Sequence, residues 1–281
     1  MKIAIIGLGL IGGSLALDLK ARGFTNHIIG IEHNEKHRQI ALKKGIVDEI
    51  CELKQGVEKA NLVILTIPVN AIIKVLPTVL DHISDYTTVV DMGSTKTQII
   101  EAVTKHSKRR NFVAAHPMAG TEYSGPTAAI YRLFDGKPAI ICDKENSDAD
   151  AVTIVEGMFQ ILKMSILYMD AQEHDMHAAY VSHISHISSF VLANAVLEKE
   201  KSTNTIFNLA SGGFASTVRL AKSSPQMWSQ IFEQNRTNLL EVMDTYIKHF
   251  QHWRQLIETE DFEKLETAMS NANAIKRILD K

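Results

Sequence analysis

Short apolar runs alternate with helix-like segments over roughly the first 165 residues of the chain. The runs are rich in valine and isoleucine and lack regular polar alternation, which is typical of strands in a parallel sheet buried on both faces. The predicted strands lie at residues 2–7, 27–32, 62–67, 88–92, 112–115, 138–143 and 165–169. The predicted helices between them include residues 10–22, 34–44 and 95–106. Repetition of strand and helix predicts an α/β fold built on a doubly wound sheet.

The pattern changes near Asp170, after which no further β-rich run follows. Residues 171–199 and 225–250 are predicted to form two long helices. The second has Ser224 as its predicted N-cap and Pro225 in its first turn, where a missing N–H costs nothing. The second half of the chain is therefore predicted to be all-helical.

A length of 281 residues exceeds what one hydrophobic core usually supports, so two domains are expected. We predict a sheet domain over residues 1–169 and a helical domain over residues 170–281. The last helix of the second domain is predicted to run from Asp261 toward Lys281.

Composition narrows the range of partners. The chain is 45% hydrophobic and 22% charged, with a formal net charge of −2, so it lacks the basic field that nucleic acids or membrane surfaces attract. No apolar run approaches the roughly 20 residues that span a bilayer, and the first strand begins at Lys2, which leaves no room for a signal peptide. The two cysteines, Cys51 and Cys142, lie far apart. We expect a cytoplasmic protein without disulfides, nucleic acid or membrane partners.

The first predicted strand runs directly into the glycine loop "IAIIGLGLIGGSLA". Gly7, Gly9 and Gly12 have the G-x-G-x-x-G spacing between strand and helix that lets a pyrophosphate approach free backbone N–H groups. Glu32 follows about 20 residues later, where a carboxylate accepts ribose hydroxyls and repels a 2′-phosphate. The pattern predicts a Rossmann-like domain that binds NAD. The residues predicted to contact the cofactor are Gly7, Gly9, Leu10, Ile11, Gly12, Glu32, Thr66 and Pro68.

Ligands of such sheets bind beyond the carboxyl ends of the strands, and polar residues are predicted there. One predicted strand is followed by Ser94, and another ends at His116. Pro117 disfavours a helical backbone for His116, so the imidazole is expected at the strand tip beside the cofactor. Ser94 is also a candidate N-cap for the helix predicted at 95–106.

The segment "EHDMHAAYVSHISHISS" carries several histidines on a predicted helix. The pair His174–Asp175 resembles that of metal phosphohydrolases, but no further ligands complete a coordination sphere, so we predict no metal site. His174 and His177 are expected in a core or an interface. His183 and His186 share a helical face and are expected to line a polar cleft.

Downstream, "SGGFASTVRLAKSSPQMW" contains one arginine, Arg219. In a cleft beside a nicotinamide, its guanidinium is suited to bind a substrate carboxylate through two parallel hydrogen bonds.

Together these stretches resemble the prephenate dehydrogenase family over nearly the whole chain. The resemblance rests on GLGLIGGSLA (7–16), DMGSTK (91–96), HPMAGTE (116–122), SHISH (182–186) and GGFASTVRLAKSSPQMW (212–228). It implies NAD-dependent oxidative decarboxylation of prephenate to 4-hydroxyphenylpyruvate in tyrosine biosynthesis. It also implies a homodimer built through the helical domain, and the length suggests an enzyme without a fused mutase or a regulatory domain.

By the same resemblance, His116 is the catalytic base and Ser94 hydrogen-bonds near the substrate hydroxyl. His186 belongs to the substrate pocket and Arg219 binds a carboxylate. The residues assigned to the substrate site are Ser182, His183, His186, Glu122, Gly212, Arg219 and Trp228.

Three alternatives stay open. Arogenate differs from prephenate by an amino group, and the sequence barely separates the two substrates. A β-hydroxyacid dehydrogenase shares the architecture but requires a lysine in the long second-domain helix, and none lies between Asp170 and Leu197. A non-enzymatic NAD-sensing module has no need for His116, Ser94 and Arg219.

Overall fold

A computed structural model describes residues 1–203 and 205–279 of the chain. Its centre is a sheet of eight strands in the order β3-β2-β1-β4-β5-β6-β7-β8. The strands are β1 Lys2–Ile6, β2 His27–Ile31, β3 Glu49–Ile50, β4 Leu62–Leu65, β5 Thr88–Asp91, β6 Phe112–Pro117, β7 Pro138–Cys142 and β8 Ser165–Met169. Every predicted strand is present, and only the two-residue β3 was not predicted.

Both faces of the sheet are buried, as the unbroken apolar runs predict. In β1, Ile3 and Ile5 pack with one core cluster, while Ala4 and Ile6 pack with the other. Because side chains alternate across a strand, two separate cores form on opposite faces of the same sheet. This arrangement confirms the doubly wound α/β fold.

β7 runs antiparallel to β6, whereas every other neighbouring pair in the sheet is parallel. The chain between these strands, residues 118–137, contains only a short 3₁₀ turn at Pro126–Ala128. A parallel pairing needs a crossover, which is usually a helix, and without one the chain returns in the opposite direction. The sheet is therefore mostly parallel rather than wholly parallel.

The α-helices of the first half flank the sheet and follow the strands in chain order. They are α1 Leu10–Ala21, α2 Glu35–Lys43, α3 Leu53–Glu58, α4 Val69–His82, α5 Thr97–Glu101 and α6 Ala149–Ile161. The helix predicted at 95–106 is wrong in extent, since only α5 forms there and residues 102–106 continue as tight turns.

The helices of the second half are α7 Ala171–Ala178, α8 Ile184–Thr203, α9 Gly212–Thr217, α10 Pro225–Gln234, α11 Arg236–Glu258, α12 Phe262–Ala272 and α13 Lys276–Leu279. The helix predicted at 171–199 is interrupted by a π-helical turn at Ala179–His183, a feature that often marks functional sites. The helix predicted at 225–250 breaks at Asn235. The amide of Asn235 donates to the carbonyl of Asp175 at 2.6 Å, which favours a break at that point.

Two predicted helix starts are confirmed. The Ser224 side chain accepts a hydrogen bond from the Met227 N–H, and Asp261 accepts one from the Lys264 N–H. The end predicted at Lys281 lies outside the described residues.

The residues from Met1 to Arg236 form one compact unit, and those from Thr237 onward form a second. The domain boundary between residues 169 and 170 stays a prediction. Among the described residues, no helix is both long and apolar enough to cross a membrane.

Candidate active site

The glycine loop joins β1 to α1 at the point where the strand order reverses, between β1 and β4. Gly7 has a φ of +96°, a conformation that side chains disfavour. A Cβ on Gly12 would collide with the carbonyl oxygen of Gly7. At Gly9 the space where a Cβ would lie is open, and no side chain caps the α1 N-terminus. Free N–H groups beside open space fit a pyrophosphate.

Glu32 follows β2 and is 7% exposed. One carboxylate oxygen accepts from the Leu8 N–H of the glycine loop at 3.0 Å, and the other accepts from the Asn34 N–H at 2.9 Å. The oxygen beside Leu8 keeps a further acceptor position for a ribose hydroxyl, whereas the oxygen beside Asn34 also lies 3.1 Å from Nδ1 of His33. The carboxylate therefore orients the loop and can still accept from a cofactor.

The other residues predicted at the cofactor site differ in their contacts. The Thr66 hydroxyl donates to the carbonyl of Gly7 at 2.6 Å, so it helps to hold the glycine loop in place. Pro68 is exposed at the start of α4. The Leu10 side chain is buried in the core and Ile11 packs against it, which leaves their backbone N–H groups to face a ligand.

His116 lies near the end of β6 and is 8% exposed. Its Nδ1 atom is 2.9 Å from Nε2 of His174, and Nδ1 of His174 is 2.8 Å from Oδ1 of Asp175. All three side chains are buried. His174 and Asp175, which are adjacent in sequence, therefore support the imidazole of His116 at the strand tip. Among the described residues, no hydrogen bond reaches the Nε2 atom of His116.

Burial lowers the pKa of His116 well below its ordinary value, and the positive charge of the Lys96 ammonium lowers it further. The imidazole is therefore neutral at pH 7, as a general base must be.

Asp175 also caps α5 from a distance, because its carboxylate accepts from the backbone N–H groups of Lys96 and Thr97 at 2.8 and 2.9 Å. The alternative that Ser94 caps this helix is wrong, since the N-cap position is Lys96. Ser94 is half-buried and lies just beyond the carboxyl end of β5. β5 is the neighbour of β6, the strand that contains His116.

Lys96 and Asp91 form an ion pair with no solvent exposure between β5 and β6. The Lys96 ammonium also donates to the carbonyl of Ala115 at 2.8 Å, one residue before His116. The Asp91 carboxylate accepts from the N–H groups of Gly93 and Ala115. The pair therefore fixes the strand ends from which Ser94 and His116 project.

The π-helical turn places His183 inside this region at 1% exposure. Nδ1 of His183 accepts from the Asn235 amide at 3.1 Å, and burial lowers the pKa of His183 to about 4. His183 is thus neutral and fully enclosed, and it lies near the hydrogen-bonded side chains of Asp175, His174 and His116.

His186 lies one turn further along and stacks on Trp228, with ring centroids 3.5 Å apart. Its Nδ1 atom donates to the Ser182 carbonyl at 3.2 Å. Burial lowers the pKa of His186, and the positive charge of Arg219 adds to this effect. Arg219 Nη1 is 3.5 Å from the Glu122 carboxylate.

His186, Trp228, Arg219 and Glu122, four of the residues predicted to bind substrate, are thus linked to one another although they come from different parts of the chain. Arg219 is half-exposed in a 3₁₀ turn after α9, the helix that Gly212 begins. The Ser189 hydroxyl on α8 donates to the Thr217 carbonyl at 3.0 Å and accepts from the Ala221 N–H, so it holds this segment in place.

Sequence reasoning missed three contributions to the site: the Lys96–Asp91 pair, the Asp175 cap and the Asn235 amide. In the sequence, Asp175 beside His174 indicates only a candidate metal ligand. Across the described part of the chain, no group of three or more His, Cys, Asp or Glu side chains has an arrangement that could hold a metal ion.

A glycine loop at the switch point of a doubly wound sheet, with a neutral imidazole at a nearby strand end, defines an NAD-dependent dehydrogenase. The chain belongs to the prephenate dehydrogenase family. Residues 15–168 match the family's nucleotide-binding domain, and residues 170–271 match its dimerization domain.

Individual relatives span nearly the whole chain. Prephenate dehydrogenase of Bacillus subtilis (strain 168) is 32% identical over 94% of this chain and 72% of its own length. The crystal structure of A. aeolicus prephenate dehydrogenase with hydroxyphenyl propionate and NAD+ is 29% identical, covers 100% of this chain and 98% of that one, and has a TM-score of 0.91. Synechocystis arogenate dehydrogenase is 28% identical, covers 99% of both chains, and has a TM-score of 0.77.

Proposed function

We propose that this chain oxidises and decarboxylates prephenate to 4-hydroxyphenylpyruvate, a step of tyrosine biosynthesis, with NAD as the hydride acceptor. The observation that carries the proposal is the neutral, buried His116. One of its ring nitrogens is held by His174, and the other is without a hydrogen bond among the described residues. The similarity to the A. aeolicus enzyme, whose structure contains hydroxyphenyl propionate and NAD+, supports this substrate class.

In the proposed reaction, His116 accepts the proton of the ring hydroxyl through Nε2. NAD, held by the glycine loop and Glu32, would supply the acceptor for the hydride that leaves the carbinol carbon. The bond to the ring carboxylate then breaks and carbon dioxide leaves. The electron pair of that bond shifts through the ring to the carbonyl oxygen formed in the oxidation, and this oxygen takes back the proton held by His116, which gives the aromatic 4-hydroxyphenyl product. Ser94, beyond the neighbouring strand, hydrogen-bonds near the substrate hydroxyl in this proposal.

We assign substrate binding to the side chains near His186, which include Trp228 and Arg219. Prephenate carries two carboxylates, and Arg219 is the cation beside His186. The proposed substrate residues are Ser182, His186, Glu122, Gly212, Arg219 and Trp228. His183 is enclosed at 1% exposure and is not among them.

Arogenate is the second candidate substrate, favoured by the similarity to the Synechocystis enzyme over 99% of both chains. The direct test measures NADH absorbance after NAD is mixed with prephenate or with arogenate. A higher kcat/KM for prephenate supports the proposal, and a preference for arogenate replaces it. Tight NAD binding without turnover of either acid would indicate a sensing module instead.

Arg219→Ala is expected to raise the KM for prephenate strongly and to change kcat less, because a carboxylate contact is present in both ground and transition states. The loss in kcat/KM is roughly 2–4 kcal/mol if the contact is shielded from water. Steady-state kinetics measure it, with Arg110→Ala as the matched control, since Arg110 is exposed and pairs with the exposed Asp148. An unchanged KM would show that Arg219 forms the ion pair with Glu122 but does not bind the substrate.

Glu32→Gln is expected to reduce the preference for NAD over NADP, because the amide removes the charge that repels a 2′-phosphate but retains an oxygen for the glycine loop. The measurement is the ratio of kcat/KM for the two cofactors. Glu58→Gln is the control, since it removes the same charge from an exposed surface pair. Equal use of both cofactors by the wild-type protein would contradict the assignment of Glu32.

We propose a homodimer formed through the helical region. Along α11, large apolar side chains recur on one face and stay exposed, at 69% for Phe250 and 55% for Ile257. The other members of this stripe are Tyr246 and Trp253.

Light scattering is expected to give about twice the 31.3 kDa mass of one chain. Phe250→Glu is expected to shift the protein toward monomer, because it places a charge within the stripe. Tyr86→Glu is the control, since Tyr86 is 93% exposed before β5. A monomeric wild-type protein at working concentration would be inconsistent with the proposal. A cytoplasmic location also belongs to the proposal, and the two buried free cysteines suit a reducing compartment.

A further inference from the structure

The buried chain from Asp175 through His174 to His116 determines where protons can lie. The Asp175 carboxylate is surrounded by N–H donors from the backbone of Lys96 and Thr97, and Nδ1 of His174 is the third group in contact with it. Burial acts to raise the pKa of Asp175, but hydrogen bonds from His174 and Thr97 hold it below its ordinary value. An ionised carboxylate only accepts hydrogen bonds, so Nδ1 of His174 must carry a proton.

The second contact of the chain follows from the first. Nε2 of His174 and Nδ1 of His116 are 2.9 Å apart, and a hydrogen bond at this distance contains one proton. Both rings are buried, and burial together with the Lys96 ammonium lowers the pKa of His116. A neutral His174 protonated at Nδ1 presents a lone pair at Nε2. The shared proton therefore belongs to Nδ1 of His116.

We propose that Asp175 and His174 are positioning residues that hold His116 in the tautomer protonated at Nδ1, with Nε2 unprotonated and directed to the substrate. A neutral imidazole carries one ring proton, so a proton fixed at Nδ1 leaves the base at Nε2. The inference rests on the proposed role of His116 as the base. The two residues that determine which nitrogen of His116 is reactive, His174 and Asp175, lie on α7, a helix outside the sheet.

The surroundings favour this proton arrangement. The charged and titratable groups that act on His116 are His174 on α7, Lys96 at the start of α5 and His183 in the π-helical turn. Lys96 forms an ion pair with Asp91, and His183 accepts from the Asn235 amide. Because Asp175 also caps α5, a shift of α7 would leave two backbone donors of α5 without partners. The position of the chain is thus tied to the fold of the sheet domain.

Neutron diffraction from deuterium-exchanged crystals of the wild-type, NAD-bound enzyme tests the proton positions without any substitution. The expected result is a deuteron on Nδ1 of both His174 and His116, and none on Nε2 of either ring. A deuteron on Nε2 of His116, or deuterons on both nitrogens of His174, would overturn the proposal. This result does not depend on which substrate the enzyme uses.

Kinetics of His174→Phe test the consequence for turnover. Phenylalanine keeps a planar ring but offers no lone pair, so both tautomers of His116 become accessible. Loss of the correct tautomer in a hydrolytic triad costs about 10⁴-fold in kcat, and with His116 still partly in the active form we expect a loss on the order of 10²-fold. KM and NAD affinity should change less than about two-fold, because the substitution leaves the contacts that bind substrate and NAD in the ground state unchanged.

His177→Phe is the matched control, since His177 is an exposed histidine on the same helix. It should retain the wild-type kcat. Equal kcat for the two variants would refute the positioning role even if His116 is the base. Absence of turnover by the wild-type enzyme would instead refute the proposed function, and the neutron result would still decide the tautomer.

Discussion

His116→Asn is expected to lower kcat by roughly 10²–10⁴-fold, the usual loss when a general base is removed. Asparagine preserves polarity and approximate size but cannot take the proton of the ring hydroxyl. KM and NAD binding should change little, because the glycine loop and the Arg219 region are untouched. Steady-state kinetics and a cofactor titration measure these effects, with His177→Asn as the control on an exposed histidine.

The pH dependence of kcat provides a second measurement of the same variant. Only the neutral form of His116 is a base, so kcat falls as the pH drops through the pKa of His116. Because burial lowers that pKa, the acid limb should lie well below pH 6.5 in the wild-type enzyme and should vanish in His116→Asn. If the variant keeps most of its kcat and its acid limb, the base lies elsewhere, and His186 is the next residue to substitute.

Lys96→Met is expected to lower the free energy of unfolding by about 3–5 kcal/mol, because it leaves the buried Asp91 carboxylate without its cation. Chemical denaturation measures the loss. Lys20→Met is the matched control, since Lys20 pairs with Asp48 at the partly exposed surface, where an ion pair contributes at most about 1 kcal/mol.

The double variant Asp91→Asn/Lys96→Met should recover part of the lost stability, because no unpaired charge remains and the asparagine oxygen still accepts from a backbone N–H. Lys96→Met should also move the acid limb of kcat to higher pH, since the ammonium contributes to the low pKa of His116. A loss of stability no larger than that of Lys20→Met would show that the pair does not anchor the strand ends.

Local patterns predicted the sheet well because they depend on residues close together in sequence. Every predicted strand is present, and the glycine loop lies where the spacing of Gly7, Gly9 and Gly12 predicts it. Long-range contacts explain the errors. The helix predicted at 225–250 breaks at Asn235, where the side-chain amide donates to the carbonyl of Asp175, 60 positions earlier. The chain between β6 and β7 has no helical crossover, and β7 runs antiparallel to β6.

The α/β sheet with two buried faces follows from the spacing of apolar side chains, and the NAD loop follows from the spacing of its glycines. The histidine at a strand tip follows from the proline after it. The surroundings of that histidine depend on contacts between distant parts of the chain. His174 is 58 positions away from His116, and Asp175 is 79 positions from Lys96, yet they meet in one buried network. Such contacts are invisible to any local pattern, since packing of α7 against the end of the sheet brings them together. That packing removes the imidazole from water and thereby lowers its pKa.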